Sequence, residues 1–202
     1  MSITAKIVVG AASAAMAVGL VAVAGGGSAF AAGRHAQRQP HATVTGTGKE
    51  TCTGVSGSIS FSPPLTSAGG SSTETVKVSA KLSGCSGGTP AATSGTVKST
   101  ILTNTNSCTG LANPPATQTE TLIVKWSPKT IATSTTVFGP DTAVSSPHIG
   151  FTLSNGTTKG SYAGSGANSQ VLSNETTAAY ETACASKAGL KKLTLTSGSV
   201  SG

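Results

Sequence analysis

Two stretches of this chain fit one another in a single way. Residues 52–63, CTGVSGSISFSP, and 75–85, TVKVSAKLSGC, each alternate apolar or small residues with polar ones. A repeat of two residues is the mark of a strand with one buried face. Between them PLTSAGGSST, 64–73, is dense in turn-forming residues. Folding the second stretch back on the first sets Phe61 against Val76, Ile59 against Val78, Gly57 against Ala80 and Val55 against Leu82. The polar face then pairs Ser60 with Lys77, Ser58 with Ser79 and Ser56 with Lys81, and Cys52 falls opposite Cys85. A slip by one residue would turn every apolar side chain toward water. Directly opposed strand residues lie within disulfide reach. The register therefore predicts a Cys52–Cys85 bridge and, by elimination among four cysteines, Cys108–Cys184. Each bridge is worth about 2–4 kcal/mol.

An even cysteine set suits an oxidising compartment, and the N-terminus gives the same address. Lys6 precedes the apolar run IVVGAASAAMAVGLVAVA, 7–24, and Ala29-Phe30-Ala31 supplies the small-x-small pattern of a cleavage site. We read residues 1–31 as a signal peptide, 32–41 as a flexible basic arm and 42–202 as a single β-sandwich domain. The expected product is secreted, extracellular or associated with the cell wall, with no stable membrane anchor after cleavage. No CxxC occurs and no histidine lies near a cysteine in sequence, so neither a zinc nor a thiol-redox site is expected. The formal net charge is +7, but Lys6, Arg34 and Arg38 precede the domain and the remaining lysines are scattered. Aromatic residues make up only 3% of the chain. Nucleic-acid surfaces need clustered basic residues with aromatic platforms, so nucleic acid is not an expected partner.

The remainder reads as short strands joined by Gly/Ser/Pro turns. GTVKSTILTN (95–104), TETLIVKWS (119–127), TIATSTTVF (130–138) and LKKLTLTSG (190–198) are strand candidates. Leu122, Val124 and Trp126 share one face, which makes Trp126 a core residue. In HIGFTLSNGTTKGSY (148–162) the Asn155-Gly156 pair predicts a type I′ hairpin turn, with Ser154 facing Thr157. NETTAAYETACASKAG (174–189) breaks the β pattern and predicts a helix over 175–187 capped by Asn174; Cys184 would staple it to the loop around Cys108. The expected fold class is all-β: an immunoglobulin-like β-sandwich with one short C-terminal helix and two disulfides. Cys108, Trp126 and Cys184 follow the Cys…Trp…Cys order of that fold. Tyr180 precedes the last cysteine by four residues rather than two, so the likeness reaches architecture only.

The segments TCTGVSGSISFSPPLT, VKVSAKLSGCSGG, NSCTGL, LIVKWSP and CASKAGLKKLTLTSG resemble a group of small secreted actinobacterial β-rich proteins of unassigned function. The likeness covers most of the chain after the leader. It implies that all four cysteine contexts belong to the framework, and it brings no catalytic residues.

Chemistry is sparse. Asp141, the sole aspartate, shares FGPDTAVSSPHIG with His148, but no GxSxG elbow accompanies them, and they read as loop residues. The glutamates at 50, 74, 120, 175 and 181 lie in polar segments or on an exposed helix face, without the arrangement that raises one acid beside an ionised partner; Glu74 and Glu120 read as solvated charges at strand ends. His35 and His41 in the arm are weak metal ligands. The site residues expected are therefore only the disulfide cysteines, 52, 85, 108 and 184, with no catalytic residue, cofactor or metal. The expected function is a non-catalytic extracellular or cell-surface module for binding or structure, facing a cell-wall polymer or surface protein. The alternatives are a secreted hydrolase whose residues converge only in three dimensions, or a carrier of a small apolar ligand. A hydrophobic cavity near Trp126 would favour the carrier.

Overall fold

The structure, a computed structural model, describes residues 42–202 apart from 71–72, 104–106, 115, 146 and 165. The expected signal peptide (1–31) and basic arm (32–41), with His35 and His41, lie outside the described residues. The elements are β1 (Thr51–Leu65), β2 (Glu74–Ser86), β3 (Ser94–Thr103), α1 (Cys108–Ala112), β4 (Glu120–Ser127), β5 (Ser134–Phe138), β6 (Thr142–Ser145), β7 (His148–Gly160), β8 (Ala167–Thr176), α2 (Thr177–Ala185) and β9 (Leu190–Ser201).

The hairpin of β1 and β2 has the register that the alternation dictates: Phe61 pairs with Val76, Val55 with Leu82 and Cys52 with Cys85. Both predicted disulfides are present, Cys52–Cys85 and Cys108–Cys184. All strand pairs are antiparallel, in the order β5-β4-β3-β2-β1-β9-β8-β7-β6.

The immunoglobulin-like sandwich is overturned by one further pairing. Ser134 to Val137 of β5 also ladder with Gly160 to Thr157 of β7, which joins the two ends of the sheet. The result is a closed eight-stranded barrel, with β6 continuing along the flank of β7 where β5 leaves off. A sandwich and a barrel both bury one face of every strand, so alternation alone does not distinguish them; closure depends on which strands meet. The Cys108–Cys184 bridge likewise ties α1 to α2 and does not join two facing sheets. The Tyr180 hydroxyl reinforces that junction by donating to the Cys108 carbonyl at 2.8 Å.

The predicted hairpin at Asn155-Gly156 is also absent. β7 runs straight through it, with Asn155 at φ 55°. Between Leu153↔Ser169 and Gly156↔Ala167, β7 contains one residue more than β8. A bulge uses the same left-handed conformation as a hairpin turn, and here it shifts the parity of the strand. Ile149, Phe151 and Leu153 are buried before it; Gly156 and Thr158 are buried after it. The helix near the C-terminus is present but shorter than expected: α2 starts after Thr176, whose side chain caps Ala179, and not after Asn174.

Outward positions carry Ser, Thr and Lys, among them Ser56, Lys77, Lys81, Lys98, Lys125 and Lys159. That is the reverse of the apolar band that membrane-spanning barrels turn to lipid. Among the described residues no helix is long and apolar enough to cross a membrane.

One end of the barrel is crossed by residues 44–50. Val44 and Thr47 bridge to Ile131 and Thr89. The Gly46 amide donates to Ser161 Oγ at 2.9 Å, and the Tyr162 amide donates to the Gly46 carbonyl at 2.7 Å. Strand direction places α1, α2 and β6 at the opposite end, beside Glu74, Glu120 and Asp141.

Candidate functional site

An eight-stranded barrel encloses an interior that side chains fill or that holds one small ligand. This one retains a cavity of about 100 Å³, whose walls include Val55, Val97, Trp126, Phe151, Val171 and Leu195. The cavity exists because many inward positions carry small side chains. Ala80, Ser134, Thr136, Thr158, Ala167 and Ser169 all reach it.

At the crossed end most polar members of this lining have hydrogen-bond partners. Trp126 Nε1 donates to Ser134 Oγ at 2.7 Å, and Ser134 Oγ donates to the Ser161 carbonyl at 2.5 Å. The Thr136 and Thr158 hydroxyls meet at 3.0 Å on the closing seam. Trp126 packs edge-on to Tyr162 with ring centroids 5.1 Å apart, and the Tyr162 hydroxyl donates to the Pro90 carbonyl at 2.6 Å. Burial raises the Tyr162 phenol, and the nearby Glu50 charge raises it further. Glu50 Oε2 accepts from the Gly88 and Ala92 amides at 3.0 and 3.4 Å, whereas its Oε1 is buried without a partner. Trp126 is thus a buried wall residue, oriented by Ser134 and Tyr162, with its indole bordering the cavity.

The other end is acidic. A smaller cavity of about 30 Å³ shares Val76, Ile101, Leu111, Glu120 and Asp141 with the large one and adds Glu74 and Gln118. Burial pushes the Glu74 carboxyl up to about 7. Glu120 also rises to about 7, first through burial and then through the Asp141 charge, with a Gln118 hydrogen bond opposing. Asp141 is raised to about 6 by burial, against a hydrogen bond from its own backbone. Glu74 is 1% exposed and its Oε1 has no hydrogen-bond partner among the described residues. Among the described residues no lysine or arginine lines either cavity. Three acids therefore converge on the mouth of an apolar interior with no base among them.

Comparison with known protein families, curated proteins and solved structures finds no match.

The structure separates the candidates for hydrolysis. Asp141 lies at the mouth, whereas His148 lines neither cavity and its Nδ1 is buried without a partner. Among the described residues no three His, Cys, Asp or Glu side chains come together as a metal site. Glu74 and Glu120 do stand at strand ends, as the first residues of β2 and β4, but their reading as solvated charges is overturned, because both line the cavities. The signal was present in the alternation: Glu74 has the parity of Val76 and Val78, and Glu120 that of Leu122 and Val124. Charge alone assigns such residues to water.

Proposed function

We propose that this chain is a non-catalytic binding protein that holds a small apolar molecule inside its barrel and works outside the cell. The single observation that carries the reading is the cavity of about 100 Å³ beside Trp126, bounded mainly by aliphatic and aromatic side chains. An apolar cavity of about 150 Å³ stays dry and takes up benzene or xenon, so a space of this order accommodates a short hydrocarbon chain or a small ring. Pockets of this kind, apolar with a few convergent polar groups, are the usual form of a ligand site. Secretion is supported by the two disulfides, which suit an oxidising compartment, and by the cleavable leader pattern over 1–31.

The chain has one tryptophan, and it borders the cavity. Titration with hexan-1-ol, followed by Trp126 fluorescence, should give a saturable change at one molecule per chain. Val171→Phe places a ring in the space and should abolish the change while leaving the thermal unfolding transition cooperative. An unsaturable response, or one that survives Val171→Phe, would remove the carrier reading.

A further inference from the structure

The mouth of the barrel carries more information than its apolar walls. Glu74, Glu120 and Asp141 come from β2, from the start of β4 and from the segment before β6, and all three border the smaller cavity. In a chain with 13 Lys and Arg against 6 Asp and Glu, half of the acids are gathered here. Every described lysine, meanwhile, is exposed. Desolvating a carboxylate is costly unless it is paired. Buried polar atoms in native structures normally have partners, and an orphan calls for an explanation. Glu74 Oε1 is such an orphan, on a side chain that lines the smaller cavity.

From this geometry, and resting on the carrier reading above, we infer that the barrel binds a cationic amphiphile, a protonated alkyl or aryl amine. Its hydrocarbon part lies along Trp126 and Val171, and its ammonium group lies among Glu74, Glu120 and Asp141. An ammonium group presents three donors and no acceptor. It supplies hydrogen-bond donors for the orphaned oxygen of Glu74 and positive charge for Glu120, which the Asp141 charge already disfavours as an anion. A neutral alcohol brings one donor and no charge, and a carboxylate adds repulsion.

The same acids give the site a pH dependence. In the empty protein burial holds Glu74 and Glu120 near 7 and Asp141 near 6, so all three are largely protonated at pH 5 and ionised at pH 8. Gln118 is the neutral hydrogen-bonding neighbour, and among the described residues no other titratable side chain lines the smaller cavity. An alkylammonium keeps its charge across this range, so its affinity follows the acids and rises from pH 5 to pH 8.

The test compares hexylamine, hexan-1-ol and hexanoate on the folded protein by Trp126 fluorescence and calorimetry. At pH 8 hexylamine should bind at least tenfold tighter than hexan-1-ol, and hexanoate weakest of the three. The amine's advantage should shrink at least fivefold at pH 5. It should also shrink in Glu74→Gln and Glu120→Gln, read as the ratio of hexylamine to hexan-1-ol affinity within each variant. Glutamine keeps the shape and relieves a buried charge, so both variants should fold, and a circular-dichroism melt checks that they do. If hexan-1-ol binds as tightly as hexylamine at pH 8, the cationic head group is refuted and the carrier reading stands. If none of the three binds, the carrier reading falls and this inference with it.

Discussion

Replacing Glu120 by glutamine should stabilise the empty protein at neutral and alkaline pH. In the folded barrel burial raises this carboxyl to about 7, against an ordinary value of 4.5. Below 4.5 both folded and unfolded chains carry the proton, so no penalty arises. Between 4.5 and about 7 the unfolded chain releases its proton and the folded chain keeps it, so stability falls as pH rises. Above 7 both are ionised and the penalty is constant. At about 1.4 kcal/mol for each pH step, the upper limit is about 3 kcal/mol. Glu120 is partly exposed at the mouth, and solvent screening reduces this to about 1–2 kcal/mol. Urea unfolding at several pH values from 4 to 9 measures it. The wild-type midpoint should drop between pH 4.5 and 7 and then level off. Glu120→Gln should drop less, and should exceed wild type by about 1–2 kcal/mol at pH 8, with Asp141 and Glu74 supplying the slope that remains. Parallel curves for the two proteins, or a variant less stable at pH 8, would show that Glu120 is solvated or paired and refute the reasoning.

Three further outcomes follow from the framework. Replacing Cys52 and Cys85 together by alanine opens a loop of sequence separation 33 and should cost about 3–4 kcal/mol by chain entropy, read as a lower urea midpoint; peptide mapping of the unreduced protein should recover only the 52–85 and 108–184 pairs. Gly160, at φ 87°, sits opposite Ser134 on the closing seam, where an added Cβ would meet the Thr133 carbonyl; Gly160→Ala should destabilise by about 1–3 kcal/mol and speed amide exchange in β5 before β1. Tyr180→Phe removes the hydrogen bond to Cys108 and should lower stability by about 1 kcal/mol, seen as a small fall in the thermal midpoint.

Local pattern alone settled a good part of this molecule. The β1–β2 register and both bridges follow from alternation and cysteine position, because one slipped residue would expose a whole face. The strand of Leu122, Val124 and Trp126 is legible from its alternation, and the helix carrying Cys184 from its alanines, the polar residues before it and the glycine after it. β8 was not recognised, because Ser169 and Ser173 occupy inward positions and interrupt the apolar repeat that marks a strand. Asn155-Gly156 misled, since a left-handed residue serves a bulge as well as a turn. Closure into a barrel was decided by β5 meeting β7, a contact between strands distant in sequence that no local period encodes. That closure brings Glu74, Glu120 and Asp141 to one mouth and leaves space behind them. The strands' faces are a property of the chain; the enclosed volume, and the carboxyls it desolvates, belong only to the assembled ring.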